Sequence, residues 1–278
     1  MKITIRSHKI FVGGKAVAFK QTPNGGKPLT PTGIIVHDTA GDLAGTGSVS
    51  WLCNPAAKAS AHVVVGWDGT ITQLMALNRQ TWHAGQSKYQ GRANCNGFTI
   101  GIEISNPGAM VKSPAGGYSN NAKNPLKGVR VPEHMDVRHA KSANHGPAYW
   151  LMYSDAQLDA VTELCKAIAE AYAIDFIAPH WEICVPKGRK VDTNPLFPLA
   201  QFRADVLGRT LGFADLPDEW DSQPEVDPQH DPSADPSDAA SSGPVHAPEA
   251  CGRHTALARS AAHHARLIHE PLRPAPAG

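Results

Sequence analysis

The segment 178–195, APHWEICVPKGRKVDTNP, constrains the fold most strongly, because it carries polar groups suited to one metal site at both ends. It opens close to His180 and closes on Lys190 and Asp192, with Pro-Lys-Gly between them. Proline and glycine favour turns, so the loop can fold back and bring His180 and Asp192 together, with Lys190 beside them. Zinc binds nitrogen and oxygen ligands tetrahedrally, and a catalytic site keeps one position open for water. Two ligands here require a third from elsewhere in the chain.

His37 is the best candidate for that third ligand. It follows the apolar run Gly33–Val36, which predicts a buried strand, and catalytic groups commonly project where strands end. Cys184 is an alternative ligand in place of Asp192, although it falls only four residues after His180. The sequence therefore predicts a zinc site in which the rest of the chain serves as scaffold.

A carboxylate lies on the polar face of another predicted strand, Phe98–Ser105. Its isoleucines alternate with Thr99, Gly101, Glu103 and Ser105, and this period of two predicts a strand with one face on the core. The glycine two residues before Glu103 leaves room beside the acid. Glu103 is therefore a candidate for proton transfer.

Local signals predict the remaining elements. Asp68-Gly69 between two β-rich runs predicts a hairpin, and Ser154 with Gln157 predicts a helix N-terminus. The predicted strands are Ile3–Ile5, Lys9–Val12, Ala61–Trp67, Thr70–Met75 and Asp175–Ala178, and further helices are predicted at Ser48–Asn54 and Phe197–Leu207. Residues 106–150 are rich in Gly, Pro, Asn and Lys and predict a long irregular insertion, functional or mobile, with His134, His139 and His145 on its surface.

Composition narrows the class of protein. The net charge of +1 does not favour binding to nucleic acid or to an anionic membrane. The sequence contains no run of about 18 apolar residues, so no membrane span is predicted. The five cysteines are scattered and odd in number, which favours free thiols in a reducing compartment over a disulfide framework. The N-terminus alternates polar and apolar residues and lacks the continuous apolar core of a secretory signal. We therefore expect a cytoplasmic protein.

The composition changes near Gly212. Residues 214–250 hold ten acidic residues and no Lys or Arg, with frequent Pro and Ser, and this predicts a disordered segment. Residues 251–278 are basic and rich in Ala and His, with a marginal helix predicted at 253–269. The predicted organisation is an extension at 1–27, one domain at 28–211 and a low-complexity tail at 212–278.

Four motifs in order give the chain a resemblance to the zinc-dependent N-acetylmuramoyl-L-alanine amidases, a family that includes muropeptide-recycling enzymes, phage lysins and peptidoglycan-recognition proteins. The most specific stretch is residues 82–103, WHAGQSKYQGRANCNGFTIGIE, which resembles the cytoplasmic recycling amidases. Ser60-Ala61-His62, the Asp68-Gly69 hairpin and residues 188–192, GRKVD, also match. The resemblance covers roughly residues 28–205.

The resemblance implies an α/β (α+β) fold, with a central mixed β-sheet flanked by helices and zinc in a groove. It implies His37, His180 and Asp192 as zinc ligands, Glu103 as general base, and Lys190 as the group that stabilises the oxyanion. Trp82, His62 and His83 are candidate substrate contacts, although His62 and Trp82 are more simply packed in the core and His83 could instead buttress the groove. The implied reaction is cleavage of the amide between N-acetylmuramic acid and L-alanine, by a monomer with peptidoglycan or muropeptide as its partner.

Some residues depart from the family pattern. Asp38 follows His37 where the family usually has another residue, the loop from His180 to Asp192 is longer, and 193–195 read Thr-Asn-Pro in place of the more usual Pro-Gly-Pro. Two alternatives stay open: a non-catalytic peptidoglycan-binding protein on the same fold, and a different zinc hydrolase such as a peptidase. The biological role is also open between recycling in the cytoplasm, a lysin released by a holin, and an effector exported by another route.

Overall fold

The structure is a computed structural model that describes residues 2–208 and the pair 225–226. The strands are β1 (Ile3–Arg6), β2 (Lys9–Val12), β3 (Lys15–Ala16), β4 (Ala18–Phe19), β5 (Gly25–Pro28), β6 (Gly33–Asp38), β7 (Val63–Val65), β8 (Ile71–Gln73), β9 (Arg79–Thr81), β10 (Lys88–Tyr89), β11 (Arg92–Ala93), β12 (Thr99–Ile104), β13 (Val111–Lys112), β14 (Tyr118–Ser119), β15 (Arg130–Val131), β16 (Val137–Ser142), β17 (His145–Leu151), β18 (Phe176–Pro179) and β19 (Glu225–Val226). The helices are α1 (Thr46–Leu52), α2 (Asp155–Ala171), α3 (His180–Ile183) and α4 (Leu199–Leu207), with 3₁₀ turns at Pro55–Ala57 and Cys95–Gly97.

A mixed six-stranded sheet forms the centre of the fold, in the order β18-β6-β12-β7-β8-β4. Its first four strands are parallel, β7 and β8 are antiparallel, and β8 and β4 are parallel. Strands β6 and β12 are almost entirely buried, which agrees with their apolar sequences, since a parallel strand covered on both faces is apolar throughout. Helices α2 and α4 pack together and contribute to the same core cluster as these strands.

Several local predictions are confirmed. The Asp68-Gly69 hairpin joins β7 to β8, and Thr70 N–H donates to Asp68 Oδ1 over 2.9 Å. Ser154 caps α2 by accepting the N–H of Gln157 over 3.1 Å. The predicted fold class, a mixed sheet flanked by helices, is also confirmed. Residues 3–28 supply strands of their own, and Ile3 and Ile10 are buried in the main core.

The insertion between β12 and α2 is not irregular as predicted. It contains a sheet of β13, β14 and β15, and a hairpin of β16 and β17 that also pairs with β19. Met110, Val131 and Leu151 form a small buried cluster within it, so the insertion has apolar packing of its own. Its polar composition concealed this because short strands need only a few buried side chains.

Most of the predicted tail at 212–278, including the helix expected at 253–269, lies outside the described residues. Within the part of the chain that the structure describes, no helix combines the length and apolar character needed to cross a membrane.

Candidate metal centre and groove

Parallel pairing brings three predicted site residues to one edge of the central sheet. In the register of β12 and β6, Glu103 pairs with His37, so the two side chains project from the same face. In the register of β18 and β6, Pro179 pairs with Val36, and His180 follows directly at the start of α3. Residues from distant parts of the sequence therefore meet where these strands end.

His37, His180 and Asp192 form a compact triad. The Nδ1 atoms of the two histidines lie 2.9 Å apart, and Asp192 Oδ2 lies 3.1 Å from His37 Nδ1 and 3.0 Å from His180 Nδ1. Among the described residues, this is the group of histidine, cysteine and carboxylate side chains placed to hold a metal ion. The predicted residues are thus brought together by the structure.

Hydrogen bonds on the far side of each imidazole set its tautomer. His180 Nε2 lies 3.2 Å from the carbonyl of Ala84 and can only donate to it. His37 Nε2 lies 3.0 Å from His83 Nδ1, and His83 Nε2 lies 3.4 Å from the carbonyl of Thr99. A proton on Nε2 of His180, His37 and His83 allows all of these hydrogen bonds to form. It also leaves the Nδ1 atoms of His37 and His180 as acceptors. Such outer contacts orient metal-ligating histidines in proteins generally.

The donor set fits zinc. With both protons on Nε2, two imidazole lone pairs and a carboxylate oxygen converge, an arrangement that a cation between them would stabilise. Ligand atoms around tetrahedral zinc lie roughly 3.3 Å apart, close to the observed separations. Burial, reinforced by the neighbouring imidazole of His180, lowers the pKa of His37 to about 4, so this imidazole is neutral at pH 7, as a zinc ligand requires.

His83 is explained by a glycine of β12. A Cβ at Gly101 would lie 2.3 Å from His83 Cγ, so only glycine leaves room for this ring against the strand. His83 is buried and contacts His37, as the buttress interpretation expects, and it also contributes to the lining of the groove. The room beside Glu103 predicted from Gly101 is therefore occupied by the imidazole.

Two other candidate substrate residues occupy different surroundings. His62 is completely buried, accepts the N–H of Gly101 at Nδ1 over 3.0 Å, and donates from Nε2 to the carbonyl of Arg79 over 2.8 Å. This placement gives no support to a substrate contact for His62. Trp82, in contrast, is 42% exposed and lines the groove beside the triad.

The triad borders a groove. The lining of this groove includes Trp51 and Trp82, together with Pro107 and Trp150 from the ends of the insertion. The lining also includes the predicted catalytic residues Glu103 and Lys190.

Electrostatics distinguish the carboxyl groups of the site. Burial, reinforced by the negative charges of Asp192 and Asp38, raises the pKa of Glu103 to about 8, while Lys190 opposes this shift. Burial also opposes ionisation of Asp192, but its close contacts with His180 and His37, together with the charge of Lys190, hold its pKa well below the usual range. Burial raises the pKa of Asp38 to about 8. Asp192 is therefore ionised, whereas the Glu103 carboxyl exchanges its proton near neutral pH.

Several residues that support the site were missed from the sequence. Asp38 accepts the hydroxyl of Tyr153 and the N–H of Asn194, each over 2.7 Å, and so ties β6 to the residues after Asp192. His145, predicted on the surface, is only 5% exposed and contacts the same turn. The unusual residues at 38 and 194 were visible as departures from the family pattern, but their contact was not.

Cys184 stays apart from the triad. Its Sγ approaches the carbonyls of Trp181 and Lys190 at 3.5 and 3.9 Å, and it is buried. The alternative of Cys184 as a ligand in place of Asp192 finds no support in this geometry.

The sequence of the chain matches a known enzyme family. The profile of the Amidase_2 family, N-acetylmuramoyl-L-alanine amidase, matches residues 27–195. The chain belongs to this amidase family. The match includes all three triad residues as well as Glu103 and Lys190. The family and enzyme class predicted from the sequence are thereby confirmed.

Individual relatives show how far the likeness extends. The 1,6-anhydro-N-acetylmuramyl-L-alanine amidase AmpD of Escherichia coli is 29% identical over 199 residues, which cover 65% of this chain and 85% of that protein. AmpD of Haemophilus influenzae is 49% identical over 152 residues, covering 54% of this chain but only 59% of its own length. A crystal structure of an AmpD derivative is 24% identical, covers 73% of this chain and 98% of that chain, and has a TM-score of 0.47.

Proposed function

We propose that this chain is a zinc-dependent amidase that hydrolyses the bond between N-acetylmuramic acid and L-alanine in peptidoglycan or its fragments. Family membership and the names of the AmpD relatives support the substrate. The observation that carries the proposal is the convergence of three metal-ligand atoms beside a carboxyl group whose pKa is raised to about 8. We assign the amidase domain to residues 28–211, with 1–27 as an N-terminal extension that packs into the same core and sheet.

His37, His180 and Asp192 would hold the zinc ion. Zinc supplies Lewis-acid activation of a water molecule and polarisation of the amide carbonyl when it is bound. His83 and Ala84 hold the two imidazoles in the tautomer that leaves Nδ1 free for the ion.

Glu103 acts as general base and then as general acid. Its carboxylate takes a proton from the attacking water as the oxygen–carbon bond forms, and it returns that proton to the alanine nitrogen as the carbon–nitrogen bond breaks. Its partly buried position next to Asp192 raises the pKa and so favours this second step. Lys190 faces the groove, and its ammonium group stabilises the negative charge that develops on the carbonyl oxygen.

Purified muropeptides provide the test, with products identified by mass spectrometry. We expect the wild type to release an intact L-Ala peptide from the sugar, and chelation to abolish this reaction reversibly. The Glu103→Gln variant should retain zinc and lose about 10²–10⁴-fold in kcat. Comparing anhydro-muropeptides with intact sacculi then separates recycling from lysis.

A different result identifies the alternative function. If the folded, zinc-loaded protein binds muropeptides without cleaving any amide, the groove is a recognition site and the catalytic roles of Glu103 and Lys190 are wrong. Cleavage within the peptide, with the sugar amide intact, would instead indicate a peptidase.

A further inference from the structure

The turn that carries Asp192 has no regular secondary structure of its own to fix it. It lies between the short helix α3 and α4, in the range 191–194, with Lys190 directly before it. Two of its backbone groups have partners in the domain: the carbonyl of Asp192 accepts the N–H of Trp181 over 3.0 Å, and the N–H of Asn194 donates to Asp38. The carbonyls on either side of Asp192 require other partners.

One side chain from the insertion satisfies both carbonyls. His145 Nε2 lies 2.7 Å from the carbonyl oxygen of Val191 and 2.8 Å from that of Thr193. Because both oxygens only accept, Nε2 carries the proton and donates to the two residues that flank the ligand. A single N–H therefore makes a bifurcated hydrogen bond to the carbonyls that precede and follow Asp192.

The orientation of His145 is itself fixed. It begins β17 opposite Ser142, whose hydroxyl lies 2.7 Å from His145 Nδ1 and donates to it. Edge-on contacts with Trp150 and Trp181 hold the ring, at centroid distances of 5.5 and 6.3 Å. Both ring nitrogens are thus engaged, and the imidazole has one available tautomer.

The hairpin that presents His145 is anchored to the domain near the groove. The side-chain amides of Asn106 and Asn194 each donate to the carbonyl of Leu151 over 3.1 Å. Asn120 donates to the carbonyl of Ala40 over 2.9 Å, just past the strand that carries His37. The insertion is therefore joined to the strands and the turn of the metal centre.

We propose that His145 is a positioning residue for the metal centre, through which the insertion 106–150 holds Asp192 and Lys190 in place. The inference rests on the proposed zinc site and catalytic role of Lys190. Without the donor, the carbonyls of Val191 and Thr193 lose this partner and the turn gains freedom, so the carboxylate is no longer held against the two imidazoles. The insertion then contributes to catalysis as well as to the groove wall.

The experiment compares substitutions of His145 that place an N–H donor at different distances from the backbone, or remove it. His145→Gln keeps an N–H at a similar distance from the backbone, His145→Asn shortens it, and His145→Leu removes it. The matched control is His134→Leu, the same change at an exposed position of the insertion. Zinc affinity is measured by competition with a chromophoric chelator, and kcat and KM are measured separately on muropeptide.

We expect the zinc dissociation constant to rise about 10- to 100-fold for His145→Leu and His145→Asn, and to stay within roughly threefold of wild type for His145→Gln and His134→Leu. The loss in activity should fall on kcat, since the groove walls that bind substrate are retained. Wild-type zinc affinity and kcat in the folded Leu or Asn variant would overturn the inference.

Two further outcomes are also decisive. If neither the Leu nor the Asn variant folds while the Gln variant does, His145 has a general structural role and the positioning role is refuted. If the wild type binds zinc but cleaves no muropeptide, the proposed function fails, and the zinc affinities still decide the role of His145.

Discussion

Replacing Gly101 by alanine should weaken zinc binding without touching a ligand. The new Cβ would lie 2.3 Å from His83 Cγ and 2.7 Å from its Cδ2 and Nδ1, whereas ordinary contact begins at 3.4 Å. Because the backbone of β12 is fixed by neighbours on both sides, the imidazole has to move by about 1.1 Å. The hydrogen bond of 3.0 Å between His37 and His83 would then be lost.

Two effects on free energy follow from this displacement. Overpacking the core next to β12 should destabilise the zinc-free protein by about 1–3 kcal/mol. Freeing the His37 imidazole to rotate and change tautomer should raise the zinc dissociation constant by about 10- to 100-fold. At saturating zinc for the wild type, the second effect removes a further ~1.4–2.8 kcal/mol from the free energy of unfolding.

The assay compares thermal unfolding with and without zinc, and chelator competition, for wild type, Gly101→Ala and Gly97→Ala. Gly97 is the matched control because a Cβ there would meet only Asn94 Nδ2, at 3.9 Å. Gly97→Ala should bind zinc as the wild type does. Undiminished zinc affinity in a folded Gly101→Ala variant would refute the argument that His83 orients His37.

Three further predictions concern neighbouring groups. In the zinc-free folded protein, the Glu103 carboxyl keeps its proton up to about pH 8, whereas its ordinary pKa is 4.5. The free energy of unfolding, measured by denaturant titration relative to Glu103→Gln, should therefore fall by roughly 2–5 kcal/mol as the pH rises between these two values. A difference between the two proteins that stays constant over this pH range would contradict the raised pKa. Tyr153→Phe removes the hydroxyl that donates to Asp38 and should lower the free energy of unfolding by about 1–3 kcal/mol in the same titration. The control Tyr172→Phe, whose hydroxyl contacts the exposed His8, should lower it by less. Lys190→Met should lower kcat by about 10²–10³-fold with zinc affinity retained, and an unchanged kcat would exclude Lys190 from oxyanion stabilisation.

Much of the candidate metal centre could be predicted from the sequence because its chemistry lies in short local patterns. An apolar strand ending in His37, an alternating strand carrying Glu103, and the motif GRKVD containing Lys190 and Asp192 each identify one part. The hairpin at Asp68 and the cap at Ser154 were equally local, and both are confirmed. Such signals depend on residues within a few positions of one another, where steric and hydrogen-bonding preferences act directly.

The tertiary structure alone decided how the site is supported. The sequence showed Gly101 as a gap beside Glu103, but only packing revealed that His83, from another segment, fills it. His145 and its partners Val191 and Thr193 are more than 40 positions apart, and a polar insertion gave no sign that its hairpin would bury an imidazole.

The physical reason is that these contacts depend on the register of parallel strands and on how distant segments close around them. A register is chosen by the whole buried surface of a strand, and one residue of slip would turn every side chain to the other face. The local sequence therefore determined which groups are available for the chemistry, while the packing of the sheet and insertion determined which of them touch.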